Sequence, residues 1–298
     1  MECQTSDLTD SNLQFIRSTA IHCMDTAEII AFDKNLNPGL RFHCADSVWW
    51  KRVKPFFCEP ADIFARIVPR QQRPNLFTSL GGYYHMVPNG CEANGRIVFN
   101  EINNPSGFDL SRIRQRKRSK IRAGLRTLRL QRITSRDVLL GEGYEIYRDW
   151  FRRIYGRSVN ESDRSYYARW VEVQERHRYD LVLGAFSGVR LTAWVVARAN
   201  GDRANLLNAY GSSEFRSLEP TSTLLYAYIL ICAQNPQIKN ICNGRWSAKP
   251  ALEEYKAALG FEYVEYPAYL HMAGAMRPLA RRLFPLGYKR LIGEIPAY

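Results

Sequence analysis

An α+β fold built on a mixed sheet follows from three observations. The chain of 298 residues is 46% hydrophobic and 12% aromatic, which is ample for a packed interior and long for a single core. Strand-like and helix-like runs alternate through the second half, whereas the first third mixes short apolar runs with turn signals. From Leu206 to Phe261 a strand, a polar loop, an apolar helix, a second strand and a short helix succeed one another. A polar loop entering a helix between two buried strands is a natural anion site. The expectation is two tandem units, the C-terminal one better formed.

The elements follow in order. Asp7 to Thr19 reads as a helix, since Leu8, Phe15 and Ile16 recur near helical spacing. Asp46-Ser47 caps a short segment, Val48 to Val53, that Pro55 stops. Ile63 to Val68, Thr78 to Met86 and Arg96 to Ile102 read as strands, with turns at Gly81-Gly82, Pro88-Asn89-Gly90 and Asn103-Asn104-Pro105. Residues 112–132 hold ten Arg or Lys and no acid, with Ile113, Ile121, Leu125 and Leu128 near one helical face, the pattern of a basic amphipathic helix. Leu130 to Thr134 then opens the next unit as a strand. Asp137 to Tyr155 and Glu161 to Arg176 are helical, the second capped by Ser162-Asp163. Asp180 to Phe186, Leu191 to Ala199 and Ala204 to Tyr210 form a meander turned at Ser187-Gly188 and Asn200-Gly201. The helix Thr221 to Ala233 is opened by Pro220, has Thr221, Ser222 and Thr223 as candidate caps, and stops at Asn235-Pro236. Strand Lys239 to Asn243, helix Pro250 to Ala258 and a run from Tyr263 to His271 complete the unit. These signals divide the chain into an N-terminal unit (1–110), a basic connecting helix (111–133), a C-terminal unit (134–275) and a basic amphipathic tail (276–298).

A net charge of +13 predicts attraction to polyanions: nucleic acid, anionic lipid headgroups or a phosphate-bearing cofactor. A merely soluble basic surface gives the same balance. The seven cysteines and five histidines are dispersed, with neither C-x-x-C nor H-x-x-x-H spacing, so neither a zinc site nor a disulfide scaffold is expected. The longest apolar run, Leu224 to Ala233, falls short of the roughly 18 residues a membrane span needs. A reduced cytoplasmic setting is the expectation, with peripheral membrane contact through the tail as an addition. No G-x-S-x-G elbow, Walker loop or dinucleotide fingerprint occurs, which leaves hydrolase, kinase and dehydrogenase readings without support.

The element order over residues 135–271 resembles the acyl-CoA N-acyltransferase (GNAT) fold, and more specifically its Fem-type branch, in which two such units share one chain. Three features carry the resemblance: Arg118-Ser119-Lys120-Ile121-Arg122 ahead of the second unit; Tyr210-Gly211-Ser212-Ser213 with Arg216 and Pro220; and Tyr255-Lys256-Ala257-Ala258-Leu259-Gly260. Two departures accompany them. The glycine-rich phosphate loop is replaced by Ser213 to Leu218, and the Tyr-to-Gly-Phe spacing is one residue longer.

The resemblance implies an acyl donor, either an acyl-CoA thioester or an aminoacyl-tRNA, an amine acceptor on a small molecule or peptide, and no metal. It places donor phosphates on Ser212, Ser213, Arg216, Ser222, Thr223 and Lys256, with the helix dipole assisting. Tyr210 and Tyr255 are the candidate catalytic residues, Tyr255 as proton donor to the leaving group; packing roles compete for both. Asn243 and Trp246 would wall the acceptor site. Arg118, Lys120 and Arg122 offer a polyanion surface for tRNA, or belong to a solvated linker helix. Cys232 and Cys242 read as core residues, and Glu253 and Glu254 as a solvated helix face. Acyl transfer from a CoA-type thioester is the first functional expectation and aminoacyl-tRNA-dependent transfer the second. A non-catalytic module for polyanions or membrane surfaces is the third.

Overall fold

A computed structural model describes residues 7–54, 57–75, 81–247, 249–274, 276–283, 285, 288, 289 and 292. In chain order the elements are α1 (Thr9–Ser18), β1 (Cys23–Met24), α2 (Thr26–Leu36), β2 (Arg41–Ala45), β3 (Val48–Lys54), β4 (Phe57–Pro60), β5 (Gly82–Met86), β6 (Gly95–Asn103), α3 (Gln115–Thr127), β7 (Arg129–Arg132) and α4 (Arg136–Val138). There follow α5 (Tyr144–Tyr155), α6 (Glu161–His177), β8 (Leu181–Ser187), β9 (Arg190–Asn200), β10 (Arg203–Gly211), α7 (Pro220–Ala233), β11 (Asn240–Arg245), α8 (Pro250–Ala258), β12 (Glu262–His271) and α9 (Met276–Leu283). The chain forms two compact units, neither contiguous in sequence. The first gathers the chain up to Met24, Glu101–Gly244 and Glu254–Glu262; the second gathers Asp25–Asn100, Arg245–Glu253 and the chain from Tyr263 onward. The expected division at residues 110 and 133 follows motif order, whereas the units interleave: α1 and α3 belong to the first, β12 almost wholly to the second.

In the first unit the strands run β11-β10-β9-β8-β7, with β1 pairing parallel to β9. β7 to β10 are antiparallel neighbours, and β10 meets β11 in parallel. Alternate side chains divide the sheet into two faces. Leu183, Ala185, Ala193, Val195, Ala197 and Leu206 share a core with α1, α3 and α7. Trp194, between two of them, points the other way, stacks on Trp170 and meets Tyr167 edge-on, both from α6. Eleven of the fourteen residues of α7 are buried, which is why its sequence is apolar all round. α3 packs on α7 where Gly124 meets Thr223: a Cβ at Gly124 would lie 2.0 Å from Thr223 Oγ1. On the α6 side Asp180 is fully buried, held by Arg198 Nε at 2.7 Å and by the Trp170 indole N–H at 3.4 Å.

In the second unit β2-β3-β4 form antiparallel hairpins, β4 pairs parallel with β5, and β5 pairs antiparallel with β12. Its core gathers Trp50, Cys58, Ile67, Tyr83, Val87 and Tyr269. Gly82 adopts φ +135°, and a Cβ there would fall 2.2 Å from the His271 carbonyl oxygen, so only glycine fits.

Several local expectations change. Asp46 and Ser47 do not cap a helix: both have positive φ (50° and 64°) and turn the β2–β3 hairpin. Ile63 to Val68 is not a strand. The Asp62 carboxylate accepts from Phe64 N–H and the Asp62 carbonyl from Ala65 N–H, folding the start of this run into a turn, and only an isolated bridge, Arg66 to Met86, remains. β5 begins at Gly82; the expected strand from Thr78 starts outside the described residues. α6 is capped by Asn160, reciprocally with Asp163, rather than by Ser162-Asp163. The expected helix from Asp137 to Tyr155 is interrupted by a π-turn at Leu139–Gly143, with non-helical φ/ψ at Gly141. α2, with its Asp25–Glu28 capping box, lies where the sequence gave mixed signals.

Candidate active site

The site begins where two parallel strands part. β10 and β11 pair at only three rungs, Arg203 with Asn240, Ala204 with Ile241, and Asn205 with Cys242. Beyond them β10 continues to Gly211 and β11 to Arg245, so the strands diverge into a fork. A bulge between Leu206 and Asn208, in the pairing with β9, bends β10 at the root of the fork. Asn243 and Gly244 lie on the opposite arm, Gly244 at φ +72°. Beneath the root, Arg203 of β10 and Glu101 of β6 form a buried ion pair at 2.8 Å. Cys242 is fully buried, and its thiol is raised far above the usual range by burial and then by the Glu101 charge.

The loop from Gly211 to Glu219 is closed by its own side chains. The Asp149 carboxylate on α5 accepts from Ser213 N–H at 3.1 Å and Ser213 Oγ at 3.0 Å, and Arg153 donates to the Gly211 carbonyl at 2.5 Å. Ser212 N–H donates to Thr192 O at 2.9 Å. Arg190 pairs with Glu214 through two 2.9 Å contacts. Two backbone amides expected to face a phosphate are therefore engaged within the fold. Arg216 is exposed on a short 3₁₀ turn, free of carboxylate partners among the described residues.

At the N-terminus of α7 the expected caps Thr221, Ser222 and Thr223 give way to Glu219, which stands before Pro220 in a left-handed conformation with φ 51°. Its carboxylate takes the place expected for donor phosphate. Lys117 of α3 donates to it at 3.0 Å, Lys120 makes a second close contact, and Ser222 Oγ donates at 2.7 Å. Burial raises the Glu219 pKa, but the hydrogen bonds from Lys120, Ser222 and Lys117, with the Lys117 charge, outweigh it and hold the carboxyl at about 2. Thr223 is fully buried and donates to Glu219 O at 3.1 Å. Ser222 Oγ also receives Lys117 Nζ at 3.2 Å and lies 3.1 Å from the Tyr255 hydroxyl. Because the Ser222 proton points to Glu219, the Tyr255 hydroxyl is the donor in that contact.

Tyr255 is thereby joined to the network. Its phenol is pushed up to about 12 by burial, against the hydrogen bond to Ser222, so it keeps its proton at neutral pH. The Lys117 ammonium sits 4.7 Å from its ring centroid. The adjacent Lys256 is 4% exposed and belongs to the interior, not to a phosphate-facing surface. Tyr210 ends β10 within a set of rings, 4.3 Å from Trp194, 4.9 Å from Trp150 and 5.6 Å from Tyr147, and burial raises its phenol well above the usual range. That ring is committed to packing. Trp246 falls in the second unit, where its N–H donates to Val98 O at 3.0 Å; Asn243 remains on the fork. Of the α3 cations, Lys120 is spent on Glu219, Arg118 is half-buried, and Arg122 and Arg126 are exposed. Glu253 is not a solvated acid: it accepts from Ser247 N–H and Oγ and from Asn100. Glu254 is 75% exposed and lies 3.8 Å from Arg114.

Glu219, Lys117, Asp149 and the Glu101–Arg203 pair escaped the sequence reading. For two of them a signal existed: Lys117-x-x-Lys120 places both ammoniums on one helical face, and an acid directly before Pro220 is placed to serve a helix N-terminus. Among the described residues no cluster of His, Cys, Asp and Glu forms a metal site, and no helix is long and apolar enough to cross a membrane.

No family model matches the chain, and neither does any curated protein. Solved structures do. FemX is similar at a TM-score of 0.58 and 11% identity, covering 95% of this chain and 99% of its own. The C-terminal domain of an Agrobacterium fabrum protein described as a lysylphosphatidylglycerol synthetase is similar at 0.56 and 12% identity, covering 97% and 100%. The forked β10–β11 pair, the element order and these likenesses agree: the chain has a GNAT-like fold of the Fem type.

Proposed function

We propose that this protein is an acyltransferase that moves an aminoacyl group from the 3′ end of a tRNA to an amine acceptor. The observation that carries the choice of donor is Glu219. A CoA pyrophosphate on the Gly211–Glu219 loop would meet three carboxylates, Asp149, Glu214 and Glu219, and would have to displace the last from Lys117 and Lys120. A donor whose phosphates bind elsewhere avoids that cost, and the exposed Arg122 and Arg126 on α3 offer them a place. The fork between β10 and β11 presents strand backbone to the acyl group, with amides available to polarise its carbonyl. Attack by the amine on the acyl carbon forms the amide bond and breaks the ester; Tyr255, still protonated at neutral pH, delivers its proton to the departing ribose oxygen, and the proton released by the amine restores the phenol. Positioning of the two substrates supplies much of the rate.

The test compares charged tRNA with acyl-CoA on the wild type and on Arg122→Glu/Arg126→Glu. Expected are transfer from charged tRNA, steep salt dependence of tRNA binding, and a log–log salt slope shallower by about one per lost phosphate contact in the variant. CoA-thioester binding that is tight and indifferent to the charge reversals overturns the tRNA reading in favour of an acyl-CoA donor. Binding of neither donor favours a non-catalytic module.

A further inference from the structure

We propose that the cleft between the end of β7 and the C-terminal end of α6 binds a phosphate group, free or carried as a monoester, on Arg132, Arg136 and Arg178. The site lies apart from the fork and does not rest on the acyltransferase reading. Arg132, Leu183, Val195 and Ala209 stand in one row across the sheet, which sets the cleft three strand spacings, about 14 Å, from the β10 arm. Three observations lead there.

The first is the cleft itself. It is an open hollow of about 310 Å³, floored by the buried Leu139 and Val171. Three arginines and one glutamate line it, an excess of two positive charges. The arginines arrive from three elements: Arg132 ends β7, Arg136 opens α4 and Arg178 caps α6. Guanidiniums converging from separate directions suit a tetrahedral oxyanion with a charge of about −2. A carboxylate brings less charge and fewer oxygens.

The second is the lack of an internal counter-charge. The Arg132 guanidinium donates to the Arg178 carbonyl at 3.3 Å, and neither residue meets a carboxylate among the described residues. Burial, and after it the Arg178 charge, depress the Arg132 pKa, as expected of two cations that share a hollow. Arg136 meets Glu175 at 3.6 Å, but both side chains are about half exposed, and a pair of that kind is weak enough to yield to a dianion. Thr134 also lines the cleft, its hydroxyl without a hydrogen bond among the described residues.

The third is a residue placed against its backbone. Arg178 follows the last turn of α6 at φ 54°, a left-handed position that glycine takes at the end of α5, where Gly156 has φ 66°. A side chain there costs conformational energy. The carbonyl end of a helix attracts cations, but Arg132 already answers it, so that attraction does not account for a second guanidinium. A side chain kept at a position that disfavours it points to a ligand.

The experiment titrates the whole chain calorimetrically with inorganic phosphate, glycerol phosphate, and a short RNA with or without a 5′-phosphate, at constant ionic strength set by chloride. Glycerol phosphate should bind more tightly as pH rises from about 5 to about 7, because the second proton of a monoester leaves at about 6. Preference for the 5′-phosphorylated RNA over its hydroxyl form assigns the phosphate to a nucleic-acid end. Equal binding of the two RNAs, with glycerol phosphate bound, assigns it to a small molecule. Arg132→Gln and Arg178→Gly should each weaken binding by about 10- to 150-fold, the equivalent of one charge-assisted contact. Arg178→Gly decides the matter even if Arg132→Gln fails to fold: it relieves the left-handed backbone, so it should melt no lower than the parent while losing the anion. Phosphate affinity unchanged in Arg178→Gly overturns the proposal. So does a thermal stabilisation that chloride reproduces at equal ionic strength, since that is screening of the net charge of +13. Failure of every phosphate ligand to bind overturns it as well. None of these outcomes bears on acyl transfer, which the comparison of donors tests separately.

Discussion

Replacing Glu219 by Gln removes the charge around which Lys117, Lys120 and Ser222 are arranged while keeping nearly the same shape. The carboxyl is held at about 2 against an ordinary value of 4.5. At about 1.4 kcal/mol per pH unit that difference corresponds to about 3 kcal/mol in a dry site. The side chain is 19% exposed, and solvent screening reduces the figure to about 1–2 kcal/mol. The direction follows from linkage. A carboxyl whose pKa falls on folding contributes stability above its unfolded value, and that contribution disappears as pH falls from about 4.5 through about 2. The variant should therefore melt about 2–8 °C below the wild type near neutrality. The gap should close as pH falls, because the wild-type carboxylate is then neutralised as well. Denaturant melts followed by circular dichroism at about pH 7 and about pH 3 span the upper part of that window, over which the gap should shrink by more than half. A gap of the same size at both pH values, or no gap at neutrality, refutes the argument that Glu219 is a working anion at the head of α7.

Two further outcomes follow from the same unit. Glu101→Gln leaves Arg203 buried without its 2.8 Å counter-ion and should cost about 3–5 kcal/mol in denaturant unfolding; a cost below about 1 kcal/mol would mean that the pair is solvated. Gly124→Ala should cost about 1–3 kcal/mol, because the new methyl would lie 2.0 Å from Thr223 Oγ1, and Thr223→Ala should recover part of the loss; strictly additive effects in the double mutant would show that α3 and α7 do not touch there.

The second half of the chain was legible because its signals are local. The hairpin turns at Ser187-Gly188 and Asn200-Gly201 bound β8, β9 and β10, and Pro220 and Asn235-Pro236 bracket α7 almost to the residue. The first third was not, since α2 has a weakly segregated face and β2–β3 turn on Asp46 and Ser47 in positive φ, a conformation that residue types seldom announce. The site was legible in place but not in content. Tyr255 and Ser222 do meet, yet the partner that brings them together is Glu219, which contacts Lys117 and Lys120 across about a hundred positions of chain. A charge that acquires its role only through so distant a pairing leaves no periodic trace in sequence.

The missing glycines and the carboxylates are two sides of one arrangement. A phosphate loop works by letting bare backbone approach an anion, which glycine permits and Phe215, Arg216 and Leu218 obstruct. Once side chains fill the loop they need partners, and the fold supplies Asp149 for Ser213, Arg190 for Glu214 and the α3 lysines for Glu219. The lysines that might have received an external phosphate are then occupied from within, and α3 presents Arg122 and Arg126 outward beyond them. The same helix thus closes one anion site and leaves another open on its far face. On the proposed reading the donor brings its phosphates to that outer face and only its acyl end to the fork, away from the carboxylates at the head of α7.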